Sequence, residues 1–255
     1  MSVAKLSAGS GYEYLMRHTA RGDAPDLGQD AMTRYYTNPG YPPGLWLGSG
    51  IAGLAGGDAI RVGSRVAAEQ MARLFGAGHH PVTDAALGRE YAKQVPVADR
   101  IAAQVAKLPA GLADAERAAR IAAIEAAVKA RPARASVAGF DLTFSVPKSV
   151  SVLWALSDAA TQRAIVDAHH AAVAATLHLI ERDVARTRIG TNGAARVPVR
   201  GLIAAAFDHH DSRAGDPQLH THVTVANRVQ AVTDDQWRTL DGQLLYAAAV
   251  AHSDT

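Results

Sequence analysis

The chain has 255 residues, 48% of them hydrophobic, with 26 Lys or Arg against 24 Asp or Glu and a formal net charge of +2. It can bury a real core, no apolar run reaches the ~18 residues of a membrane span, and the charge is too small to indicate a nucleic-acid partner by itself. With 0 cysteines, disulfides, thiolate metal sites and a cysteine nucleophile are excluded; the N-terminus has no basic-then-apolar leader, and the cytoplasm is the expected compartment.

In chain order, residues 3–6 are expected to form a short strand and 11–21 a short helix, followed by a loop over 22–29. Residues 33–57 are rich in Gly and Pro, carry Tyr35, Tyr36, Tyr41 and Trp46, and read as irregular. Apolar spacing predicts an amphipathic helix over 62–75, closed by 76–81. Alanine-rich segments 98–107 and 112–130 predict two helices, broken at Leu108-Pro109-Ala110-Gly111. Residues 138–144 read as a strand stopped by Pro147, with a short helix starting near Lys148. A long helix is predicted over 158–186, with Ser157 as its N-cap. β-like runs cover 197–209 and 219–232, joined by a polar loop over 210–218. Thr233-Asp234-Asp235-Gln236 reads as a hairpin turn, 237–240 as the return strand, and a helix begins near Gln243. Strands and helices intersperse without βαβ spacing. That predicts an α+β fold, an antiparallel sheet with helices packed on it.

Four of the 11 histidines fall between residues 209 and 222. His220-x-His222 starts a β-type run, and alternate strand residues share a face with Cα atoms about 6.5–7 Å apart. Two imidazoles there can converge on one ion. His209 ends the preceding run, and the intervening loop can return that strand antiparallel beside the next, adding a third imidazole. Three neutral histidines leave coordination positions open for substrate. His210 is the alternative third ligand, but its neighbouring position turns it to the other face. No H-E-x-x-H is present, which argues against a zinc protease. His79, His80, His169 and His170 are expected to be exposed. Gly48-x-Gly50-x-x-Gly53 matches a dinucleotide fingerprint formally but lacks the preceding strand, and no phosphate-binding G-x-x-x-x-G-K-[ST] occurs.

The run Pro217-Gln-Leu-His220-Thr-His222-Val-x-Val-Ala-Asn227, with upstream Phe207-x-His209-x-x-Ser212-Arg213, resembles the metal-site signature of TrwC-like conjugative relaxases. Phe140-Asp141-Leu-Thr-Phe-Ser-Val-Pro-Lys148-Ser-Val-Ser151 resembles that family's second hallmark. Tyr35-Tyr36, followed by Gly44-Leu-Trp46-Leu-Gly-Ser-Gly50, resembles its N-terminal tyrosine region. The blocks occur in the family's order. The resemblance implies a palm-like antiparallel sheet flanked by helices, as in rolling-circle initiators. It also implies one divalent ion (Mg, Mn or Zn) held by His209, His220 and His222, and a tyrosine that nicks single-stranded DNA at an origin-of-transfer site. It assigns Asp141 to hydrogen-bonding a ligand histidine and helping to take the tyrosine proton. Lys148, near a helix start, and Arg213, in the loop before the metal strand, are candidates for phosphate contacts, and the resemblance gives Tyr35 and Tyr36 base stacking or a second strand transfer.

Registering Ser7-Ala-Gly9-Ser10 against the family's N-terminus puts Tyr14 at the nucleophile position, with Tyr12 next. The first tyrosine pair is split here as Tyr12-Glu13-Tyr14, which departs from the family pattern. Accessory relaxosome proteins and a coupling protein are the implied partners. Residues 1–255 are read as a relaxase domain truncated before a DNA-clamping segment and a helicase. A rolling-circle replication initiator and a DNA-binding module that has lost catalysis are the alternative readings.

Overall fold

The computed structural model describes residues 1–9, 11–12, 43–54, 60–92, 95–131, 136–212 and 214–251. Tyr14, Tyr35, Tyr36 and Arg213 lie outside the described residues, as do the expected helix from residue 13 onward and the loop over 22–29.

The chain forms two units, Met1–Tyr91 with Val137–Thr255, and Ala92–Ser136. In chain order the first unit begins with β1 (Ser2–Ser7), β2 (Leu45–Leu47) and a short helix α1 (Ala68–Met71), which widens into a π turn over Ala72–Ala77. The second unit is a pair of packed helices, α2 (Val97–Val105) and α3 (Asp114–Ala130). The chain returns to the first unit through β3 (Val137–Ser145), α4 (Lys148–Leu156) and α5 (Ala159–Leu179). Then follow β4 (Arg186–Ile189), β5 (Ala195–Pro198), β6 (Ala204–Asp211), β7 (Pro217–Ala226), β8 (Val229–Gln230), β9 (Trp237–Arg238) and α6 (Gly242–Ala251). Five strands make one antiparallel sheet in the order β1-β3-β7-β6-β2. β4 with β5 and β8 with β9 form separate ribbons. The architecture is the expected α+β one, an antiparallel sheet flanked by helices.

Strand alternation gives the sheet two faces. Phe140, Leu142, Phe144, Val223 and Val225 pack with Val173 and Leu177 of α5. On the opposite face Leu6, Trp46, Ala205, Phe207 and Ala226 pack with Met71, Leu74 and Phe75. Each such large side chain contributes about 1.5–3 kcal/mol when fully buried. Along β3, β6 and β7 this second face changes from apolar to polar, and the polar end carries Asp141, His209, His220 and His222.

Gly139 marks a close approach beneath the second face. A Cβ there would lie 2.5 Å from the Val225 carbonyl oxygen and 3.0 Å from the Phe75 ring. Gly139→Ala is therefore expected to destabilise the fold by about 1–3 kcal/mol through overpacking. A urea midpoint equal to the wild type would show that β3 and β7 can separate without cost.

Several local expectations give way to tertiary contacts. The expected helix over 62–75 survives only from residue 68, because residues 63–66 pair with the β2 segment. Gly63 N donates to Trp46 O at 2.8 Å, Trp46 N to Ser64 O at 2.9 Å and Val66 N to Gly44 O at 2.8 Å. β2 lies inside the stretch read as irregular. Its three residues are too few to show a period. The long helix also stops early: it ends at Leu179 and passes through a π turn over Ile180–Val184 before β4 begins at Arg186. Glu181 in that turn is drawn into long-range bonds, accepting from Ser49 N at 2.7 Å and Leu202 N at 2.9 Å. The N-cap of α5 is Asp158, which accepts from Ala160 N and Thr161 N at 2.9 Å; Ser157 instead donates back to Leu153 O at 2.6 Å. The β-like run over 197–209 is split between β5 and β6. The turn over 233–236, the return strand and the helix near Gln243 follow the expected pattern.

His80 and His169, expected to be exposed, are buried. One ring nitrogen of each is engaged: His80 Nδ1 accepts from Val82 N and Thr83 N at 3.1 Å, and His169 Nε2 meets Thr221 Oγ1 at 2.9 Å.

Candidate metal centre

The register of β6 and β7 gathers the site. His209 sits directly opposite His220, and His222 opposite Phe207, so all three imidazoles project from one face of adjacent strands. The ring centroids are 4.9 Å apart for His209–His220 and for His209–His222, and 5.2 Å for His220–His222. One nitrogen from each ring lies within 4.8 Å of the others.

Hydrogen bonds set which nitrogens can bind an ion. His220 Nδ1 is 2.8 Å from the Gln218 carbonyl oxygen, which can only accept, so Nδ1 carries the proton. His222 Nδ1 is 2.8 Å from Asp141 Oδ2 and donates to it in the same way. In both rings the Nε2 lone pair is thereby free for a cation. Asp141 reaches His222 because β3 pairs with β7, setting Thr143 opposite His222 and Asp141 opposite Thr224. Thr143 Oγ1 adds contacts to His222 Nδ1 at 3.3 Å and to Asp141 Oδ2 at 3.4 Å. Asp141 Oδ1 is buried and has no hydrogen-bond partner among the described residues.

Burial, then the nearby His222 and His220, push the His209 pKa down from 6.5 to about 3. Burial likewise lowers His220. Neutral imidazoles are the ligating form, so the donor set fits a divalent ion. The same shift has a consequence for the metal-free protein. An unfolded chain protonates this histidine below its ordinary pKa, whereas the folded one resists. The stability contributed is complete above pH 6.5 and is lost as pH falls toward about 3. The thermal midpoint of EDTA-treated protein is expected to fall progressively across that window, with a shallower slope in His209→Asn. An identical slope in that variant would assign the acid sensitivity to other groups.

The other described candidates, His210, Lys148 and Tyr12, have partners elsewhere. His210 turns to the opposite face, its ring centroid 4.7 Å from that of Trp154, as alternation requires. Lys148, the first residue of α4, forms an ion pair with Asp216 and donates to Pro217 O at 2.8 Å. Tyr12 is 5% exposed and belongs to the apolar cluster containing Trp46 and Phe75. Thr143 and the Gln218 carbonyl were not singled out in the sequence. Thr143 is two residues after Asp141 and shares its face, the one local signal that could have found it.

A family model for the TrwC relaxase matches residues 8–255. The multifunctional conjugation protein TraI of Escherichia coli is 44% identical over 103 residues, which are 40% of this chain and 6% of the relative. TraI of Escherichia coli strain K12 is 42% identical over 103 residues, again 6% of its length. The chain thus spans a small part of these relatives. Among solved structures, metal-free conjugative relaxase TrwC in complex with oriT DNA superposes with a TM-score of 0.59 at 23% identity, covering 98% of this chain and 63% of that one. The metal-bound complex gives 0.59 at 23% identity, covering 98% and 64%. TrwC with a 27-mer DNA comprising the recognition hairpin and the cleavage site gives 0.55 at 22% identity, covering 98% and 67%. These structures share the fold. The family match from residue 8 onward takes in the whole histidine site and every strand after β1, and on that ground the chain belongs to the TrwC relaxase family.

Proposed function

We propose that this chain is the DNA-cleaving part of a conjugative relaxase, which nicks one strand at an origin-of-transfer site and keeps the 5′ end as a phosphotyrosine. The observation that carries this reading is the convergence of three imidazoles, within 4.8 Å of one another, in a TrwC family member. The oriT DNA complexes of the related TrwC support transfer-origin DNA as the substrate. One divalent ion is the proposed cofactor, held by His209, His220 and His222, with Mg2+, Mn2+ and Zn2+ as the candidates. When bound, such an ion supplies positive charge at the non-bridging oxygens of the scissile phosphate.

In this reading the Tyr14 hydroxyl oxygen forms a bond to phosphorus while the bond from phosphorus to the 3′ oxygen breaks. The phenolic proton leaves to a base and the 3′ oxygen gains one, giving a free 3′ hydroxyl. The phosphodiester is exchanged for a phosphotyrosine, so religation needs no ATP. Asp141 is assigned two tasks, one for each oxygen. Oδ2 holds His222 in the ligating tautomer, and Oδ1 is the proposed proton acceptor. Arg213 and Lys148 are proposed to hold flanking phosphates; at Lys148 a phosphate would take the place of Asp216. Tyr35 and Tyr36 are proposed to stack on bases or to serve a second transfer. Accessory relaxosome proteins and a coupling protein are the further proposed partners. No helix among the described residues is long and apolar enough to cross a membrane.

The test is incubation with a single-stranded oligonucleotide from the transfer origin of the encoding replicon, with each ion in turn. A denaturing gel and mass spectrometry of the adduct follow. No cleavage and no adduct under any of these conditions would leave DNA binding without catalysis as the better reading. Asp141→Asn keeps the shape but removes the charge that polarises His222. It is expected to slow nicking by ~10–100-fold with little change in DNA affinity. An unchanged rate at limiting metal would remove Asp141 from the reaction.

A further inference from the structure

Behind the three histidines, on the sheet face that meets α5, four side chains form a hydrogen-bonded series that the reaction above does not use. Asp208 and Thr221 are directly opposed on β6 and β7, one rung from the His209–His220 pair. Each neighbours a ligand in the chain: Asp208 precedes His209, and Thr221 separates His220 from His222. Thr221 Oγ1 donates to Asp208 Oδ1 at 2.6 Å. A hydroxyl has one proton, so His169 Nε2, 2.9 Å from that oxygen, must donate to it. His170 Nε2 donates to Asp208 Oδ2 at 2.7 Å. Both strands are thereby tied to each other and to α5.

The backbone ladder explains why such a tie matters at this place. The β6–β7 register is regular up to His209 and slips between His209 and Asp211. The ligand pair therefore occupies the last regular rung, beside an irregularity. A slip of one residue turns every side chain of a strand to the other face, which would scatter the three imidazoles. Thr221 is 1% exposed and His169 8%, so the bond between them is shielded from competition by water.

We propose that Asp208, Thr221, His169 and His170 are positioning residues of the metal centre, locking the rung beside the ligands and holding the imidazoles at the spacing one ion requires. The proposal rests on the reading of His209, His220 and His222 as metal ligands. Asp208, Thr221, His169 and His170 act through the strands and do not touch the ion.

The experiment is titration of the metal-free 255-residue chain with Co2+, whose visible absorption reports both affinity and coordination geometry. Thr221→Val keeps the branched shape without the hydroxyl, and is expected to weaken Co2+ binding about 10-fold and alter the absorption band. Thr221→Ser is expected to restore both. His170→Ala, at a half-exposed position, tests the same series in a variant whose core is untouched, and is expected to shift affinity in the same direction. Thr187→Val is the control for a purely structural effect. It removes an equally buried hydroxyl, 1% exposed, which donates to Thr239 O at 2.8 Å. It is expected to lower the thermal midpoint with Co2+ affinity unchanged. Wild-type affinity and spectrum in both Thr221→Val and His170→Ala overturn the proposal. His222→Ala separates the two failures: if it loses Co2+ while those variants keep it, only the positioning role falls. If it also keeps Co2+, the metal reading falls with it.

Discussion

His220→Ala and His222→Ala should each abolish strand cleavage while leaving most of the affinity for single-stranded DNA. The two imidazoles hold Nε2 toward a common point because their Nδ1 protons are committed, one to Gln218 O and one to Asp141. Removing either ring leaves two donors for an ion that needs three protein ligands and open positions for substrate. The loss should exceed the ~10–100-fold typical of an outer hydrogen-bond partner. DNA affinity comes chiefly from phosphate contacts spread along the strand, so it should change only a few-fold. Gel-shift and cleavage assays on the same oligonucleotide separate the two quantities. Cleavage at the wild-type rate in both variants, still abolished by EDTA, would rule out this ion site.

Tyr14→Phe should eliminate the covalent protein–DNA adduct, and Tyr35→Phe should leave a first adduct intact. Phenylalanine keeps the ring and its stacking, so the comparison isolates the hydroxyl. Removing a nucleophile outright costs a hydrolase a factor on the order of 10⁶, and no other hydroxyl is assigned to the first cleavage here. Tyr12 is the competing candidate two residues away. It is 5% exposed and packed in the apolar cluster with Trp46 and Phe75, which disfavours attack on a solvated phosphate. On a helix, residues two apart lie about 200° around the axis, so the two tyrosines would not share a face. Each variant is incubated with an oligonucleotide spanning the cut site and run on a denaturing gel. An adduct that persists in Tyr14→Phe but not in Tyr12→Phe would transfer the role to Tyr12. Loss only in Tyr35→Phe or Tyr36→Phe would mean the tyrosine register is different.

The sequence by itself determined the parts of this protein that depend on neighbours in the chain. A two-residue period put His220 and His222 on one face of a strand, and the same period turned His210 away from His209. Alanine-rich spacing located α2 and α3, and Thr233-Asp234-Asp235-Gln236 located the β8–β9 turn. The tertiary structure decided what residues far apart in the chain do to one another. Asp141 meets His222 only because β3 pairs with β7, and Lys148 meets Asp216 only because α4 starts beside the β6–β7 loop. Residues 63–66 gave up a helical turn to pair with β2, and Glu181, in the π turn, binds Ser49 N and Leu202 N through its carboxylate. Helix propensity differs between ordinary residues by at most about 0.7 kcal/mol each. A buried backbone N–H left without a partner costs about 1–3 kcal/mol. Where the two conflict, long-range pairing wins, and no local pattern announces it.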